Sequence, residues 1–201
     1  MAIDYTEAGF GAELPSPDTL LRAFREPVDT ARRDRDVLES AHELVRYHER
    51  RQRALDSAHA GDATPDDVAA SAHRIDRIDT RRAELVSRID DWVAVNIPHR
   101  AGASLHTETL GAVIDRMAAK WVAAQQALGN GGPPAPANGV PKAADGRARR
   151  RAKAHRVSED RPHRGVDAEA HLQWYRLAEL ADGYRDLITE VAQHRRRLPT
   201  W

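Results

Sequence analysis

The sequence predicts an all-α protein, an up-and-down helical bundle of about four main helices with a long disordered loop between the third and the fourth. Three observations carry this. Apolar residues recur every three or four positions over long stretches. No stretch alternates apolar and polar residues with the period of two that a half-buried strand needs. Proline, acidic and hydroxyl residues stand where helices start, and Gly/Pro clusters stand where they stop. With 201 residues, 41% hydrophobic and 31% charged, the chain suits one domain of ordinary size plus a flexible segment.

Taken in order, residues 1–15 hold Gly9, Gly11 and Pro15 without a usable period and read as a flexible arm. Residues 16–199 read as the bundle domain. Ser16-Pro17-Asp18 supplies a cap, a first-turn proline and an early acid for a short helix through Phe24, which Pro27 ends. The first long helix covers about Asp36 to Ala58, with Val37, Ala41, Leu44, His48 and Leu55 on one stripe and Arg46, Arg50 and Arg53 opposite. Gly61 to Ala63 breaks it. Thr64-Pro65-Asp66-Asp67 then opens a second helix of roughly 30 residues, ~45 Å long, ending at Asn96 before Pro98. Its expected inward side is Val68, Ala72, Ile75, Ile78, Leu85, Val86, Ile89, Trp92 and Val93. A third helix is predicted from Thr107-Glu108, with Leu110, Val113, Ile114, Met117, Trp121, Ala124 and Leu128 inward. The fourth runs from about Asp167 to Arg196, with Leu172, Tyr175, Ala178, Leu180, Ala181, Tyr184, Leu187, Ile188 and Val191 inward and Arg195-Arg196-Arg197 beside its negative end.

Between the third and fourth helices, residues 129–165 change character. Gly129 to Pro141 is Gly, Pro, Asn and Ala apart from Val140, unable to build a core, and Lys142 to Arg164 carries nine Lys/Arg against three acids. This segment reads as a disordered linker. Thirty-one basic residues balance thirty-one acidic ones, so the neutral total hides a basic loop on an otherwise acidic protein. A chain of neutral charge is not a globally basic nucleic-acid binder. The chain has no cysteine, which excludes disulfides, thiolate metal sites and a cysteine nucleophile. No apolar run is long enough to span a membrane, and Met1 to Leu14 carries acids where a signal peptide would be basic and then apolar. The expected location is therefore the cytoplasm. Twenty-eight of the basic residues are Arg and three are Lys, the bias of a GC-rich actinobacterial genome, so codon usage accounts for the arginine without a phosphate-binding role.

Several stretches are similar to the uncharacterised bacterial family catalogued as domain of unknown function 4254. They are Tyr47-His48-Glu49-Arg50-Arg51, the run Ile75 to Leu85, and above all His106-Thr107-Glu108-Thr109-Leu110-Gly111-Ala112-Val113-Ile114-Asp115-Arg116-Met117. Leu177 to Tyr184 and Arg197-Leu198-Pro199 resemble its actinobacterial branch, so the resemblance covers about residues 16–128 and 167–199. It implies an all-helical bacterial protein with no settled activity. It also implies an accessory role near pathways for envelope glycans or specialised metabolites. Against that family, Asp79 stands where many relatives have Asn, and 129–165 is an insertion.

The polar residues offer several candidate sites. His48 projects toward the core side with Glu49 at the stripe's edge, and the pair could serve as base and orienter or as metal ligands. The plainer reading is a hydrogen-bonded interior histidine. Asp79 and Arg82 interrupt the second helix's stripe three residues apart, so they meet on one face, and a buried carboxylate there needs a partner. They read as a structural polar layer that fixes helix register, the alternative being that they line a small cavity. Glu108 and Asp115 are seven apart with Gly111 between them, and Arg116 follows. A glycine inside a helix costs ~1 kcal/mol against alanine, so close approach of another helix or a ligand is expected at Gly111. The catalytic candidates are thus His48, Glu49, Glu108, Asp115 and Arg116.

No cofactor or metal is implied. Glu39-x-x-His42 has the spacing of a carboxylate-bridged bundle, but Glu190 lies four residues before His194, so the second Glu-x-x-His is missing. Phosphate-loop, nucleophile-elbow and zinc-protease motifs are lacking. The tract Arg147–Arg156 could attract phosphate polymers but has no aromatics to stack bases, so nucleic acid is disfavoured as a partner. The leading functional reading is an accessory or interaction protein with a protein partner or a second copy of itself. The alternative is a small enzyme using His, Glu and Asp for proton transfer, and a weaker one is a binder of phosphate-rich polymers.

Overall fold

The computed structural model of the chain describes residues 13–29, 31–128 and 163–200. Within these, five helices run in order: α1 (Pro17–Ala23), α2 (Arg35–Ala58), α3 (Pro65–Asn96), α4 (Leu110–Ala127) and α5 (His163–Ala192). Two two-residue strands, β1 (Ser104–Leu105) and β2 (Arg196–Arg197), pair in parallel, Ser104 opposite Arg196 and Leu105 opposite Arg197. Nearly all of the expected 129–165 linker, its basic tract included, lies outside the described residues, as do positions 1–12 of the arm.

The start signals work as their chemistry requires. Ser16 accepts from the Thr19 amide at the head of α1. At α3, Thr64 and Asp67 exchange hydrogen bonds between side chain and backbone in a full capping box, with Pro65 in the first turn. Asp34 stands before α2 without capping it; its buried carboxylate accepts instead from Arg32 Nε and Nη2, both at 2.8 Å.

The helices alternate in direction. Arg88 near the end of α3 bonds Asp36 at the start of α2 (2.9 Å), so the pair is antiparallel. The β1–β2 clasp holds the entrance of α4 beside the exit of α5. Helix α4 is the hub: it packs on α2, α3 and α5, and its apolar face of Leu110, Val113, Ile114, Met117, Trp121 and Ala124 is buried. Among the described residues, the backbone of α5 approaches α4, α1 and β2 but neither α2 nor α3. Trp121 of α4 sits between Phe24 (ring centroids 6.0 Å apart) and Trp174 of α5 (5.5 Å, edge to face). Tyr184 is fully buried and donates to the Pro15 carbonyl oxygen at 2.9 Å, which fastens the segment before α1 to α5.

Four expectations need correction. First, α4 begins at Leu110, not at Thr107-Glu108. Ser104 and His106 donate to the Arg195 and Arg197 carbonyls (3.1 and 2.9 Å), so the chain is extended there, and Thr109 rather than Thr107 caps the helix through the Ala112 amide. Second, α5 stops at Ala192 rather than Arg196. His194 takes a left-handed backbone (φ 56°), its amide bonds Val191 O and the Arg195 amide bonds Glu190 O, a Schellman ending, which frees Arg196 and Arg197 to form β2. Third, the first half of the α5 stripe is out of phase. Leu172, Tyr175 and Ala178 face solvent, and the buried line is Ala170 and then, spaced by threes and fours, Leu177, Ala181, Tyr184, Leu187 and Val191. Fourth, Val68 and Ala72 at the start of α3 are exposed, because this end of the α2–α3 hairpin projects past the helices that would cover it.

Candidate functional site

Three helices bring polar side chains to one place. On α2, His48 lies one turn beyond fully buried Leu44 and so points toward α4. On α3, Asp79 and Arg82 share a face; on α4, Asp115 sits beside buried Ile114 and faces both other helices. His48 Nε2 and Asp115 Oδ1 are 2.8 Å apart. Arg82 forks onto the same carboxylate, Nε to Oδ1 at 3.2 Å and Nη2 to Oδ2 at 2.6 Å, while its Nη1 donates to Asp79 Oδ1 at 2.7 Å. Arg51, three residues after His48, reaches Asp79 from α2 through Nε at 3.1 Å.

The electrostatics follow from this geometry. Burial alone would raise the Asp115 carboxyl, but hydrogen bonds from His48 and Arg82 outweigh it, and Asp115 is held below the usual carboxylate range. Burial likewise opposes the charge on Arg82, and the two carboxylates more than restore it, so its pKa is raised. A guanidinium whose planar fork is engaged on two sides stays put, which fixes the rotamers of both acids. The side chains of His48, Arg82 and Asp115 are only 10%, 20% and 19% exposed, so each would be costly to leave without its partner.

His48, Arg51 and Arg82 of this network line a cleft of about 380 Å³ between α2, α3 and α4, with Asp115 and Asp79 behind them. His48, Arg51, Arg82, Gln52 and Gln126 supply polar groups, and Ala119, Val122 and Ala123 supply an apolar wall. His48 Nε2 is committed to Asp115, which leaves Nδ1 as the ring atom able to exchange a proton. The combination of an oriented imidazole, cationic guanidinium groups and a mixed wall can bind a small polar or anionic molecule and move a proton at it.

The other candidates lie elsewhere. Glu49 is exposed on α2 and does not join the network. Glu108 is not in the first turn of α4 but before it, and it pairs with Arg116 (2.8 and 2.6 Å) rather than with Asp115. Both side chains of that pair are well exposed, where an ion pair adds at most ~1 kcal/mol. Glu108 and Asp115 therefore do not share a site. Among the described residues, no three His, Asp or Glu side chains gather as metal ligands do.

The signature around Gly111 has a structural use. A Cβ at Gly111 would lie 2.5 Å from the Val86 carbonyl oxygen and 2.9 Å from Asp90 Oδ1, so α3 and α4 cross here backbone to backbone. The Gly111 amide, otherwise an unpaired donor at a helix start, donates to Asp90 Oδ1 at 2.8 Å. Burial pushes the Asp90 carboxyl up against the opposing hydrogen bonds from Gly111 and Thr109. Sequence reasoning missed Asp90 and Arg51. The signals were there: Asp90 lies one turn beyond Val86 on the inward stripe, and Arg51 lies three residues after His48.

No curated protein and no solved structure matches the chain. The family match ends at residue 134 and does not reach α5. Residues 38–134, which hold every member of the His48–Asp115 network, match the model of the family described as Protein of unknown function (DUF4254).

Proposed function

We propose that the cleft between α2, α3 and α4 takes a small polar or anionic substrate and that His48 transfers a proton there, oriented by Asp115. The observation that carries this reading is the 2.8 Å contact between His48 Nε2 and Asp115, made by residues 67 positions apart at the edge of a cleft. In the reaction His48 removes a proton from a bound hydroxyl or amine and returns it to the product, and the ionised Asp115 stabilises the imidazolium formed in between. Arg82 keeps Asp115 ionised and in place, and so is a positioning residue. Arg51 lines the cleft with a cation that suits a substrate carboxylate or phosphate. The pathway we infer is a bacterial biosynthetic one, in cytoplasmic surroundings.

Metabolite profiling of a strain lacking the gene, complemented with variants, tests this. His48→Gln and Asp115→Asn should leave the deletion profile unchanged although each protein retains a cooperative melt. Glu108→Gln and Arg116→Gln, outside the cleft, should restore the parental profile. A folded His48→Gln protein that restores it overturns the assignment.

The accessory reading has one observation of its own. Leu172 and Tyr175, a turn apart on α5, are 39% and 58% exposed and offer apolar surface to a partner or second copy. Loss of a co-purifying protein in Leu172→Ser/Tyr175→Ser, with His48→Gln retaining it, would favour this role over catalysis.

A further inference from the structure

On the other flank of α2, a second groove of about 340 Å³ runs between α2 and α3, and arginine dominates its lining: Arg50 and Arg53 from α2, Arg74, Arg77 and Arg81 from α3. No carboxylate lines it. Arg81 alone of the five has an acid partner among the described residues, Glu84 at 2.6 Å. Arg53 uses its Nε on the Glu49 carbonyl, and Arg50 lies over the Tyr47 ring, 5.1 Å from its centroid. Arg74 and Arg77 have no ion-pair partner among the described residues.

Codon bias can raise the number of arginines, but it does not sort them. Elsewhere on these two helices the arginines interleave with acids, as in Arg35–Glu39, Arg46–Glu43 and Arg88–Asp36. In the groove, Arg50/Arg53, Arg74/Arg77 and Arg77/Arg81 are like charges at the three- and four-residue spacings that make helix neighbours, an arrangement that destabilises a helix. The cost is removed when an anion occupies the groove. Arginine suits phosphate because its planar fork bonds two oxygens at once. The floor, with Tyr47, Ala54 and Ile78, is apolar, which suits a planar or apolar substituent. The basic stretch is also bounded. Glu43 and Glu84 stand at one end, and Asp56, Asp62, Asp66 and Asp67 stand at the hairpin end. A polymer of phosphates running along the hairpin would meet these acids, whereas a compact molecule with two or three charges would not.

We propose that this groove is a binding site for a small diphosphate ester, its phosphates held by Arg74, Arg77 and Arg53 and its organic group laid against Tyr47. The site is separate from the His48 cleft and does not depend on the reaction assigned there. Titration calorimetry of the full chain with uridine diphosphate and with inorganic pyrophosphate, at matched ionic strength, tests it. Uridine diphosphate should bind saturably and at least tenfold more tightly than pyrophosphate, because only the ester uses the apolar floor. Arg74→Gln/Arg77→Gln should weaken it at least tenfold, while its melting temperature without ligand equals or exceeds that of the parent, since a repulsion has been removed. Arg116→Gln/Arg185→Gln, the same change in net charge elsewhere, should bind as the parent does. Absence of saturable binding, equal affinity for the two probes, or equal loss in the two double variants would overturn the proposal.

Discussion

Gly111 has no tolerance for a side chain, because the Val86 carbonyl already occupies the place where a Cβ would go. Gly111→Ala should destabilise the protein by about 3 kcal/mol, the upper range of overpacking, read as a drop in the urea midpoint. Buried Asp90 on α3 and half-buried Asp115 on α4 make opposite contributions in acid. Asp115 titrates lower in the folded than in the unfolded chain, so its contribution is complete above about pH 4 and is lost as pH falls through its folded value. Asp90 titrates higher when folded, so its contribution improves as pH falls from neutrality. Asp115→Asn should therefore flatten the loss of stability between about pH 4 and pH 2, and Asp90→Asn should remove a gain that arises above about pH 4 as pH falls from neutrality; urea midpoints measured from neutral pH down to about pH 2 check both. The sequence announced Gly111 as a close approach and Asp79 with Arg82 as a pair, since both follow from helical spacing. It could not announce that His48 would meet Asp115 or that Glu108 would turn to Arg116, because those pairings depend on how helices rotate against one another.

At the scale of the element, boundaries were legible wherever a side chain makes them and obscure wherever a distant strand does. Ser16, Thr64 and Pro65 announced their helices because capping is local chemistry. The start of α4 was displaced by three residues because Ser104 and Leu105 are claimed by Arg196 and Arg197, ninety-two positions away. This predicts a contrast between two nearby threonines: Thr109→Ala should cost about 1 kcal/mol through the lost cap, and Thr107→Ala, exposed and uninvolved, should cost almost nothing in the same denaturation measurement. At the end of α5, His194 holds a left-handed conformation that glycine adopts more readily. His194→Gly should leave stability unchanged or raise it by up to about 1 kcal/mol, seen as an equal or higher melting temperature. The phase of α5 was misread over its first half because Leu172 and Tyr175 are large and apolar yet exposed, and a stripe drawn through them is rotated from the true one.

For the whole molecule, burial is uneven in a way that hydrogen exchange can map. Among the described residues, amides of α4, enclosed by α2, α3 and α5, should exchange last, and those around Gly61, where the α2–α3 hairpin projects, should exchange early. All-helical architecture and the alternation of directions were legible in periodicity and loop placement. The hub position of α4 was not, since an amphipathic stripe says that a face is covered and not by whom.

The return of the chain through β2 to bury Leu198 has a consequence for biosynthesis. Emerging from the ribosome at about 5–20 residues/s, the polypeptide shows the greasy flank of α4, Trp121 included, for several seconds before α5 arrives to shelter it. Nascent chains stalled in that interval are the species a holding chaperone would grip, and their release should coincide with translation past Leu198.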